Sequence, residues 1–246
     1  MGQKLTRRTI VIVQARVSST RLPGKVLKKL AGRSILHHVL SRCQQISFAD
    51  SVLCATTELP SDDAVVQLVE EMGIDVFRGS ERDVLARYHD AACSTHAEII
   101  MRVTSDCPLI DPALCDAVLQ LQRSEKAEYA TNNMPPTWPH GLDCEAFTME
   151  ALEAAHLNAM EPHDREHVTP WIRRAEQFRR VNLPRTGRSR YDLRWSLDYP
   201  EDLTFFEAFF DRFPDFGHIP DTETLIALMD AHPEIGEINR GRAITA

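Results

Sequence analysis

The sequence predicts an α/β protein built on a mostly parallel sheet with helices on both faces. Short apolar runs rich in β-branched residues alternate with segments whose apolar residues recur every three or four positions. Such runs suit strands buried on both faces, and their alternation with helices is typical of βαβ units with right-handed crossovers. The predicted strands are residues 9–14, 51–56, 74–77 and 98–103, and the predicted helices are 34–46, 62–73 with Ser61 as N-cap, 83–93 and 112–123.

The rhythm changes after residue 123, where turn-forming residues become frequent. This break predicts an excursion from the main sheet, as a small antiparallel arm over residues 132–183. Because the chain shows no internal repeat and no low-complexity linker, residues 1–246 are expected to form a single domain. The elements predicted in this half are strands at 129–131, 143–148, 178–183 and 193–198, a proline-rich turn at 134–141, and helices from Met149 and at 200–213.

Composition excludes several classes of protein. The chain carries 28 Lys and Arg against 36 Asp and Glu, a net charge of −8, which argues against a general nucleic-acid-binding surface. No apolar run approaches the roughly 20 residues that span a bilayer, so no membrane partner is expected. The six cysteines form no C-x-x-C pair and show no zinc-ligand spacing, which favours reduced thiols and a cytoplasmic protein.

A basic loop follows the first predicted strand, at residues 14–27. Ligands of open α/β sheets bind beyond the carboxyl ends of strands, so this loop is placed to hold phosphates. Gly24 allows close backbone approach, while Arg16, Arg21 and Lys25 supply positive charge. The loop matches neither G-x-G-x-x-G nor the P-loop pattern, which disfavours a dinucleotide oxidoreductase and a P-loop kinase. A solvated basic loop is the alternative.

Two acidic residues stand at similar points of the chain, each at the end of a predicted strand and shortly before a proline. Asp106 follows the strand at 98–103, and Asp198 ends the segment 193–198. Mg²⁺ in phosphate chemistry is typically held by one or two carboxylates together with phosphate oxygens, so both residues are candidate ligands. They complete one site only if their strands are neighbours, and Asp106 could equally be a turn residue.

A third group of polar residues suits a hydroxyl-rich ligand such as a sugar. A carboxylate on that ligand would favour Arg165, although Arg165 could instead pair with Glu166 and His167 could be a polar core residue. Paired carboxylates also occur in glycosidases, but hydrolysis would not explain the phosphate loop. The candidates are Asn132, Asp143 and Glu145, the latter two on one face of a strand, with Arg165 and His167.

The loop QARVSSTRLPGKVL resembles the signature loop of the cytidylyltransferase group that includes the 3-deoxy-manno-octulosonate and acylneuraminate cytidylyltransferases. Further motifs resemble more closely the branch named after spore coat polysaccharide biosynthesis protein F. The resemblance covers about residues 9–213 with the motifs in the same order. These motifs are ATTELPSDD (55–63), GSERDVLARYH (79–89), RVTSDCPLIDP (102–112), HGLDCEAF (140–147), REHVTPWI (165–172) and SLDYPEDL (196–203).

The resemblance implies a Rossmann-like nucleotide-diphospho-sugar transferase fold and nucleotidyl transfer. A sugar oxygen would attack the α-phosphate of a nucleoside triphosphate, usually CTP, and pyrophosphate would leave. By analogy Arg16, Arg21 and Lys25 would be catalytic on the triphosphate, and Asp106 and Asp198 would hold Mg²⁺. The remaining nucleotide-binding candidates are Gln14, Ala15, Gly24, Ala55, Thr56 and Thr57, and the sugar would face Asn132, Asp143, Glu145, Arg165 and His167.

The departures from the family pattern leave the substrate open. Cys107 follows the candidate metal ligand Asp106 where the octulosonate enzymes carry an acidic or small polar residue, so the sugar is not fixed. The base is open as well, because related enzymes can use another nucleotide. A glycosyltransferase that consumes a nucleotide sugar, or a binding homologue without turnover, is an alternative. Dimers are common in related enzymes, and the arm at 132–183 could supply the contact of a homodimer.

Overall fold

The computed structural model describes residues 7–212 and 220–241. In this part of the chain the main sheet has seven strands in the order β5-β4-β1-β6-β8-β7-β9. Strands β5, β4, β1 and β6 are parallel, β8 is antiparallel to both neighbours, and β9 is parallel to β7. The strands are β1 Thr9–Gln14, β4 Ser51–Thr57, β5 Asp75–Gly79, β6 Ile99–Thr104, β7 Tyr129–Thr131, β8 Glu145–Thr148 and β9 Arg180–Asn182, with a separate two-stranded ribbon of β2 Lys29–Leu30 and β3 Arg33–Ser34.

The predicted helices are present with shifted ends. Ser34, Asp83, Asp111 and Thr148 each accept a backbone N–H as N-cap, because their short oxygen-bearing side chains satisfy donors at a helix start. The helices are α1 Ile35–Cys43, α2 Asp63–Glu71, α3 Val84–Ser94, α4 Pro112–Glu125, α5 Met149–Asn158, α6 Pro162–His167, α7 Pro170–Arg174, α8 Pro200–Arg212, α9 Thr222–Ala231 and α10 Pro233–Gly236, with 3-10 turns at Lys25–Leu27 and Pro60–Asp62. Residue 213, the predicted end of α8, lies outside the described residues.

The prediction of Ser61 as the N-cap of α2 is wrong. A 3-10 turn occupies Pro60–Asp62, so the N-cap position falls on Asp62. The Asp62 side chain makes no capping bond there. Its carboxylate instead accepts the backbone N–H of Val17, at 2.7 Å, and the hydroxyl of Thr57. Asp62 therefore ties the loop after β1 to the end of β4.

Alternating side chains of the central strands bury two separate cores. Val11, Val13 and Met101 face one core, which α1, α2 and α4 cover. Ile12 and Ile100 face the other, which α3, α5 and α7 cover. Helices on both faces explain why the strands are continuous apolar runs. The predicted mostly parallel α/β architecture is confirmed.

The antiparallel part of the sheet differs from the predicted excursion. Strand β8 lies inside the main sheet, between β6 and β7, and pairs residue by residue with both. Glu145 lies opposite Arg102 on one side and Thr131 on the other. The strand predicted at 143–148 is thus an internal strand of the sheet.

The strand predicted at 193–198 is wrong, since these described residues form only one isolated bridge, between His140 and Arg194. The segment crosses the carboxyl ends of the strands and is anchored by Trp195 and Leu197 in a third core. Helices α8, α9 and α10 supply half of the buried side chains of that core, with Phe205 and Phe206 among them. This packing holds Asp198 over the sheet.

Within residues 7–212 and 220–241 no helix is both long and apolar enough to cross a membrane.

Candidate active site

The loop after β1 folds back on itself at the carboxyl edge of the sheet. The backbone N–H of Ala15 bonds the Ala55 carbonyl at 3.2 Å, which extends the β1–β4 pairing by one step. Gly24 then donates its N–H to the Val17 carbonyl at 3.1 Å. Gly24 has a φ of 68°, a left-handed conformation that favours glycine. The turn at Gly24 starts the short 3-10 helix that begins with Lys25.

Lys25 lies between the two carboxylates that sequence spacing could not bring together. Its Nζ donates to Asp106 Oδ2 at 2.8 Å, to Asp198 Oδ1 at 3.0 Å and to the Leu197 carbonyl at 2.9 Å. An ammonium has three donors, so this arrangement uses all of them. The structure thus places Asp106 and Asp198 at one lysine, although the segment that carries Asp198 is not a strand.

The electrostatics of this cluster keep Lys25 and Asp106 ionised. Burial alone would lower the pKa of Lys25, but Asp106 and Asp198 more than offset it, and the pKa is raised above its ordinary value. Burial likewise opposes ionisation of Asp106, yet Lys25 and the hydroxyl of Thr104 hold the pKa of Asp106 well below its usual range. Lys25 and Asp106 therefore form an ion pair at neutral pH.

Asp198 is positioned by a buried network that the sequence did not reveal. Arg194 Nη2 donates to Asp198 Oδ2 at 3.0 Å, and Arg194 is itself held by Asp202 through Nε at 2.8 Å. Asp202 also accepts the backbone N–H groups of Asp198 and Tyr199, both at 2.9 Å. The sequence alone places Glu201 and Asp202 in the first turn of a helix, where acids offset the helix dipole. Asp202 is instead fully buried, and Asn239 donates to it at 2.9 Å.

The segment that carries Asp198 is held at the carboxyl edge by backbone hydrogen bonds to Asp106 and His140. The N–H of Leu197 bonds the Asp106 carbonyl at 2.9 Å, and the N–H of Trp195 bonds the His140 carbonyl at 2.6 Å. Gly141 makes this close approach possible, because a Cβ on it would lie 2.8 Å from the Ser196 nitrogen and closer still to the Trp195 carbonyl. Gly141 also has a φ of 103°.

The three cations of the loop do not gather at one point. Arg21 Nη2 lies 2.7 Å from Asp198 Oδ1 and its guanidinium lies over the Tyr199 ring, so Arg21 joins the Lys25 cluster. Arg16 points the other way, where Nη2 lies 4.0 Å from Glu166 Oε1. The loop therefore spans two regions, with Arg21 and Lys25 at the carboxylates and Arg16 near α6.

The predicted nucleotide-binding residues line the carboxyl ends of β1 and β4. Gln14 ends β1, and Ala55, Thr56 and Thr57 end the neighbouring β4 with fully buried side chains. Because all three residues are fully buried, none of them presents its side chain at the surface of this edge. Gln14 is only partly buried, and its amide oxygen lies 3.4 Å from Arg102 Nη2.

Glu145, one of the predicted sugar ligands, is a buried carboxylate surrounded by donors. Oε2 accepts from Arg102 Nη1 at 2.5 Å, and Oε1 accepts from Arg173 Nη2 at 2.6 Å. The hydroxyls of Tyr129 and Thr169 donate to Oε1 at 2.5 and 2.7 Å. The side chain is 2 % exposed, so in this structure its contacts are with protein groups that it orients. Arg102 and Arg173 are functional candidates that sequence reasoning missed.

The other predicted sugar residues are dispersed. The Asn132 side-chain amide donates to the Leu142 carbonyl and accepts the Cys144 N–H, and Asn132 is 1 % exposed. Arg165 forms a bidentate pair with Asp83, not with Glu166, and its Nη2–Oδ2 distance is 2.5 Å. Asp143 accepts the Gly141 N–H at 3.1 Å, and its Oδ2 lies 3.3 Å from His140 Nδ1. His167 packs against His163, with ring centroids 4.4 Å apart.

Replacing Glu145 with Gln should lower the free energy of unfolding by about 3 kcal/mol at pH 7, because Arg102 and Arg173 would lose their buried counter-charge. Burial opposes ionisation of Glu145, but Arg173 and Arg102 lower its pKa from 4.5 to about 2. The stabilisation that goes with this lowered pKa is fully present above pH 4.5 and is lost as the pH falls toward 2. Urea unfolding should therefore show the wild type and the variant converging as the pH falls from 5 to 3.

Glu176→Gln is the matched control, because Glu176 is exposed on the same part of the chain. It should change stability by less than about 0.5 kcal/mol. A Glu145→Gln protein as stable as this control at pH 7 would contradict the ionic role of Glu145.

The carboxylates of Asp106 and Asp198 are oxygen ligands of the kind that a magnesium ion takes. One cationic centre, Lys25 Nζ, contacts oxygens of both Asp106 and Asp198 within 3.0 Å, so both carboxylates point at one place. Oxygen ligands suit Mg²⁺, which takes one or two carboxylates and completes its shell with water and phosphate. In the described part of the chain no group of three or more His, Cys, Asp or Glu side chains is arranged to hold a metal. A site built from two carboxylates is consistent with that finding.

A Rossmann-like sheet with a basic loop after β1 and a carboxylate pair at its carboxyl edge defines a nucleotidyltransferase. A family model described as cytidylyltransferase matches residues 10–212. The chain therefore belongs to the cytidylyltransferase family, as the motifs indicated.

Relatives and solved structures agree with this membership. The chain is similar to spore coat polysaccharide biosynthesis protein SpsF of Bacillus subtilis, with 31% identity over 235 residues, covering 92% of this chain and 95% of that protein. It is similar to a 3-deoxy-manno-octulosonate cytidylyltransferase of Solibacter usitatus, with 36% identity over 118 residues, covering 47% and 45%. The solved structure of a cytidylyltransferase from Leptospira borgpetersenii superposes with a TM-score of 0.88 at 31% identity, covering 98% of this chain and all of that one.

Proposed function

We propose that this enzyme transfers the cytidylyl group of CTP to a hydroxyl of a sugar acid, with Mg²⁺, and releases pyrophosphate. The observation that carries the proposal is the cluster of Lys25, Arg21, Asp106 and Asp198 at the carboxyl edge of the sheet. The names of the relatives, a polysaccharide biosynthesis protein and a sugar-acid cytidylyltransferase, support an activated sugar for a surface polysaccharide as the product.

The basic loop would hold the triphosphate. Lys25 and Arg21 would exchange their carboxylate partners for phosphate oxygens, and Arg16 would contact the nucleotide from the α6 side. Lys25 would stabilise charge that develops at the α-phosphate during in-line attack by the sugar oxygen. Gln14, Ala15 and Gly24, with Ala55, Thr56 and Thr57, would shape the base and ribose site.

Asp106 and Asp198 would hold the magnesium ion, which when bound neutralises phosphate charge and helps pyrophosphate to leave. Arg194 and Asp202 would keep the Asp198 carboxylate oriented, because their contacts with it are buried. The protein's own task at this point is to present two oxygen ligands on one side of the phosphates.

The arginine pair around Glu145 favours a carboxylate-bearing acceptor. Two guanidinium groups face one carboxylate, so the cluster carries excess positive charge. Arg102 Nε is buried without a hydrogen-bond partner among the described residues. Arg102 also lies two residues before Thr104 on β6, and the Thr104 hydroxyl donates to Asp106 at 2.6 Å. A substrate carboxylate at Arg102 and Arg173 would therefore place a sugar beside the proposed metal ligands.

The predicted sugar residues have different proposed parts in this site. Asp143 and His167 would contact sugar hydroxyls directly. Glu145, Asn132 and Arg165 would act on the sugar through the groups that they hold in place. The chain is proposed to work in the cytoplasm, and a homodimer through residues 132–183 remains a prediction.

Arg173→Met should raise the KM for a sugar-acid acceptor by about ten- to a hundredfold, since a charge-assisted hydrogen bond is lost. The KM for CTP should change little, because the hydrogen bonds of Arg173 go to Tyr129, Asn133 and Glu145 and not to the Lys25 cluster. Arg179→Met is the control, because Arg179 pairs with Glu125 at the surface. Initial-rate kinetics that show equal changes in both KM values for Arg173→Met would contradict the assignment.

The proposed function is tested by pyrophosphate release from each of the four triphosphates with panels of sugar acids and neutral sugars. We expect release with CTP, Mg²⁺ and a sugar acid, and none without the metal. Transfer from a nucleotide sugar without pyrophosphate would indicate the glycosyltransferase alternative. CTP binding without turnover across the panels would indicate a binding homologue.

A further inference from the structure

Lys25 occupies the atoms that a metal ion and a triphosphate would each need. All three of its protons are donated within the protein, so the ammonium has no donor left for a phosphate. The acceptors are Asp106 Oδ2 and Asp198 Oδ1, the carboxylate oxygens that face each other across the site. Lys25 and a divalent cation therefore compete for the same oxygens.

The remaining carboxylate oxygens are also engaged. Asp106 Oδ1 accepts the Thr104 hydroxyl at 2.6 Å, and Asp198 Oδ2 accepts Arg194 at 3.0 Å. Arg194 is anchored by Asp202 and is 4 % exposed, so it is fixed in the fold. Lys25 and Arg21, in contrast, come from the loop after β1 and its 3-10 turn, and their side chains are 13% and 43% exposed. The loop cations are thus the groups that can leave.

We propose that Lys25 is an internal competitor of the divalent cation, which keeps the metal weakly bound until a nucleotide arrives. The triphosphate draws Lys25 and Arg21 onto its oxygens, and the freed oxygens of Asp106 and Asp198 then bind the cation. This inference rests on the metal site of the proposed function. It adds that the metal and the nucleotide bind together.

Charge balance explains why the exchange is favourable only as a unit. If Lys25 left alone, two carboxylates in a largely buried site would lose their main counter-charge, which is costly. If the cation entered alone, it would displace an ammonium that keeps only the Leu197 carbonyl as an acceptor. When both move together, Lys25 gains phosphate oxygens while the carboxylates gain the metal.

The test is direct binding of Mn²⁺, used as a paramagnetic probe, to the nucleotide-free protein. Electron paramagnetic resonance of free Mn²⁺ should show weak binding to the wild type. Lys25→Met should bind Mn²⁺ about ten- to a hundredfold more tightly, since the competing charged hydrogen bonds are removed. Lys29→Met is the matched control, because Lys29 is an exposed lysine on the following β2 strand. It should bind Mn²⁺ like the wild type.

The double variant Lys25→Met/Asp106→Asn locates the effect, because it should lose the gain in affinity. Thermal melting gives a second readout in case Lys25→Met folds poorly: Mn²⁺ should raise its Tm more than that of the wild type. Lys25→Gln, which keeps amide donors without the charge, should behave similarly. An Mn²⁺ affinity that is unchanged in both Lys25→Met and Lys25→Gln would overturn the inference. A gain in affinity that persists in the double variant Lys25→Met/Asp106→Asn would overturn it as well.

Failure of this inference is distinguishable from failure of the proposed function. Pyrophosphate release by the wild type tests the function alone and needs no Lys25 variant. If the wild type turns over CTP but Lys25→Met binds Mn²⁺ no better, only the competition is wrong. If Lys25→Met gains Mn²⁺ affinity but no substrate pair reacts, the competition stands and the reaction is wrong.

Discussion

Asp106→Asn should lower kcat by about a thousandfold while the protein stays folded. The amide is isosteric with the carboxylate, but it removes a negative charge from the proposed metal site and halves the acidic ligand set. Asp198 would remain as a partner of Lys25, at 3.0 Å, so the loss of stability should be modest. Pyrophosphate release at saturating CTP and Mg²⁺, together with circular dichroism, measures both effects.

Asp75→Asn makes the control for this substitution, since Asp75 is an exposed residue at the start of the edge strand β5. Its kcat should equal that of the wild type. If Asp106→Asn kept more than about a tenth of the wild-type kcat, the metal assignment at Asp106 would be wrong.

Gly141→Ala should both destabilise the protein and disrupt the site. The added Cβ would collide with the Trp195–Ser196 backbone, and the φ of 103° is strained for any residue with a side chain. Together these effects should cost about 3 kcal/mol, which for a chain of this size lowers Tm by roughly 6–12 °C. Since Asp198 lies two residues beyond Ser196, activity at low temperature should fall further than the folded fraction does.

Gly73→Ala separates the two contributions. Gly73 also has a positive φ, of 68°, but a Cβ there would meet nothing within 4 Å among the described residues. It should therefore cost only about 1 kcal/mol and leave activity unchanged. Equal melting temperatures for the two variants would show that the contact with residues 195–196 does not matter.

The local part of the site could be predicted from the sequence. The loop at 14–27 follows a strand that was readable from its apolar run, and its charges and Gly24 are local features. Asp106 was readable for the same reason, because it follows β6 directly. The relation between Asp106 and Lys25 then follows from topology, since parallel strands β1 and β6 are neighbours and end at one edge.

The non-local part could not be read in this way. Asp198 reaches the site through a segment that is not a strand, held by backbone contacts to Asp106 and His140. Such contacts depend on side-chain packing in the third core and on Gly141, and neither leaves a periodic signal. The one local hint was a glycine directly after His140 in a turn-rich stretch.

Glu145 and Asp202 were interpreted from local pattern and have different surroundings in the structure. Alternation along 143–148 suggested that Glu145 faces a ligand, but pairing of β8 with both β6 and β7 encloses its side chain. Asp202 has the position of a first-turn acid, yet its partners Arg194 and Asn239 come from segments 8 and 37 residues away. Burial of a charge is decided by tertiary neighbours that a single sequence does not show.

The proposed transfer of the α-phosphate of CTP to a sugar acid is tested most directly with radiolabelled CTP that carries the label in either the α- or the γ-phosphate. The label is followed into the product, which is identified by mass spectrometry. We predict that the α-label appears in a cytidylyl sugar acid and the γ-label in pyrophosphate. Transfer of the γ-label to the sugar, or a sugar product that carries neither label, would contradict it.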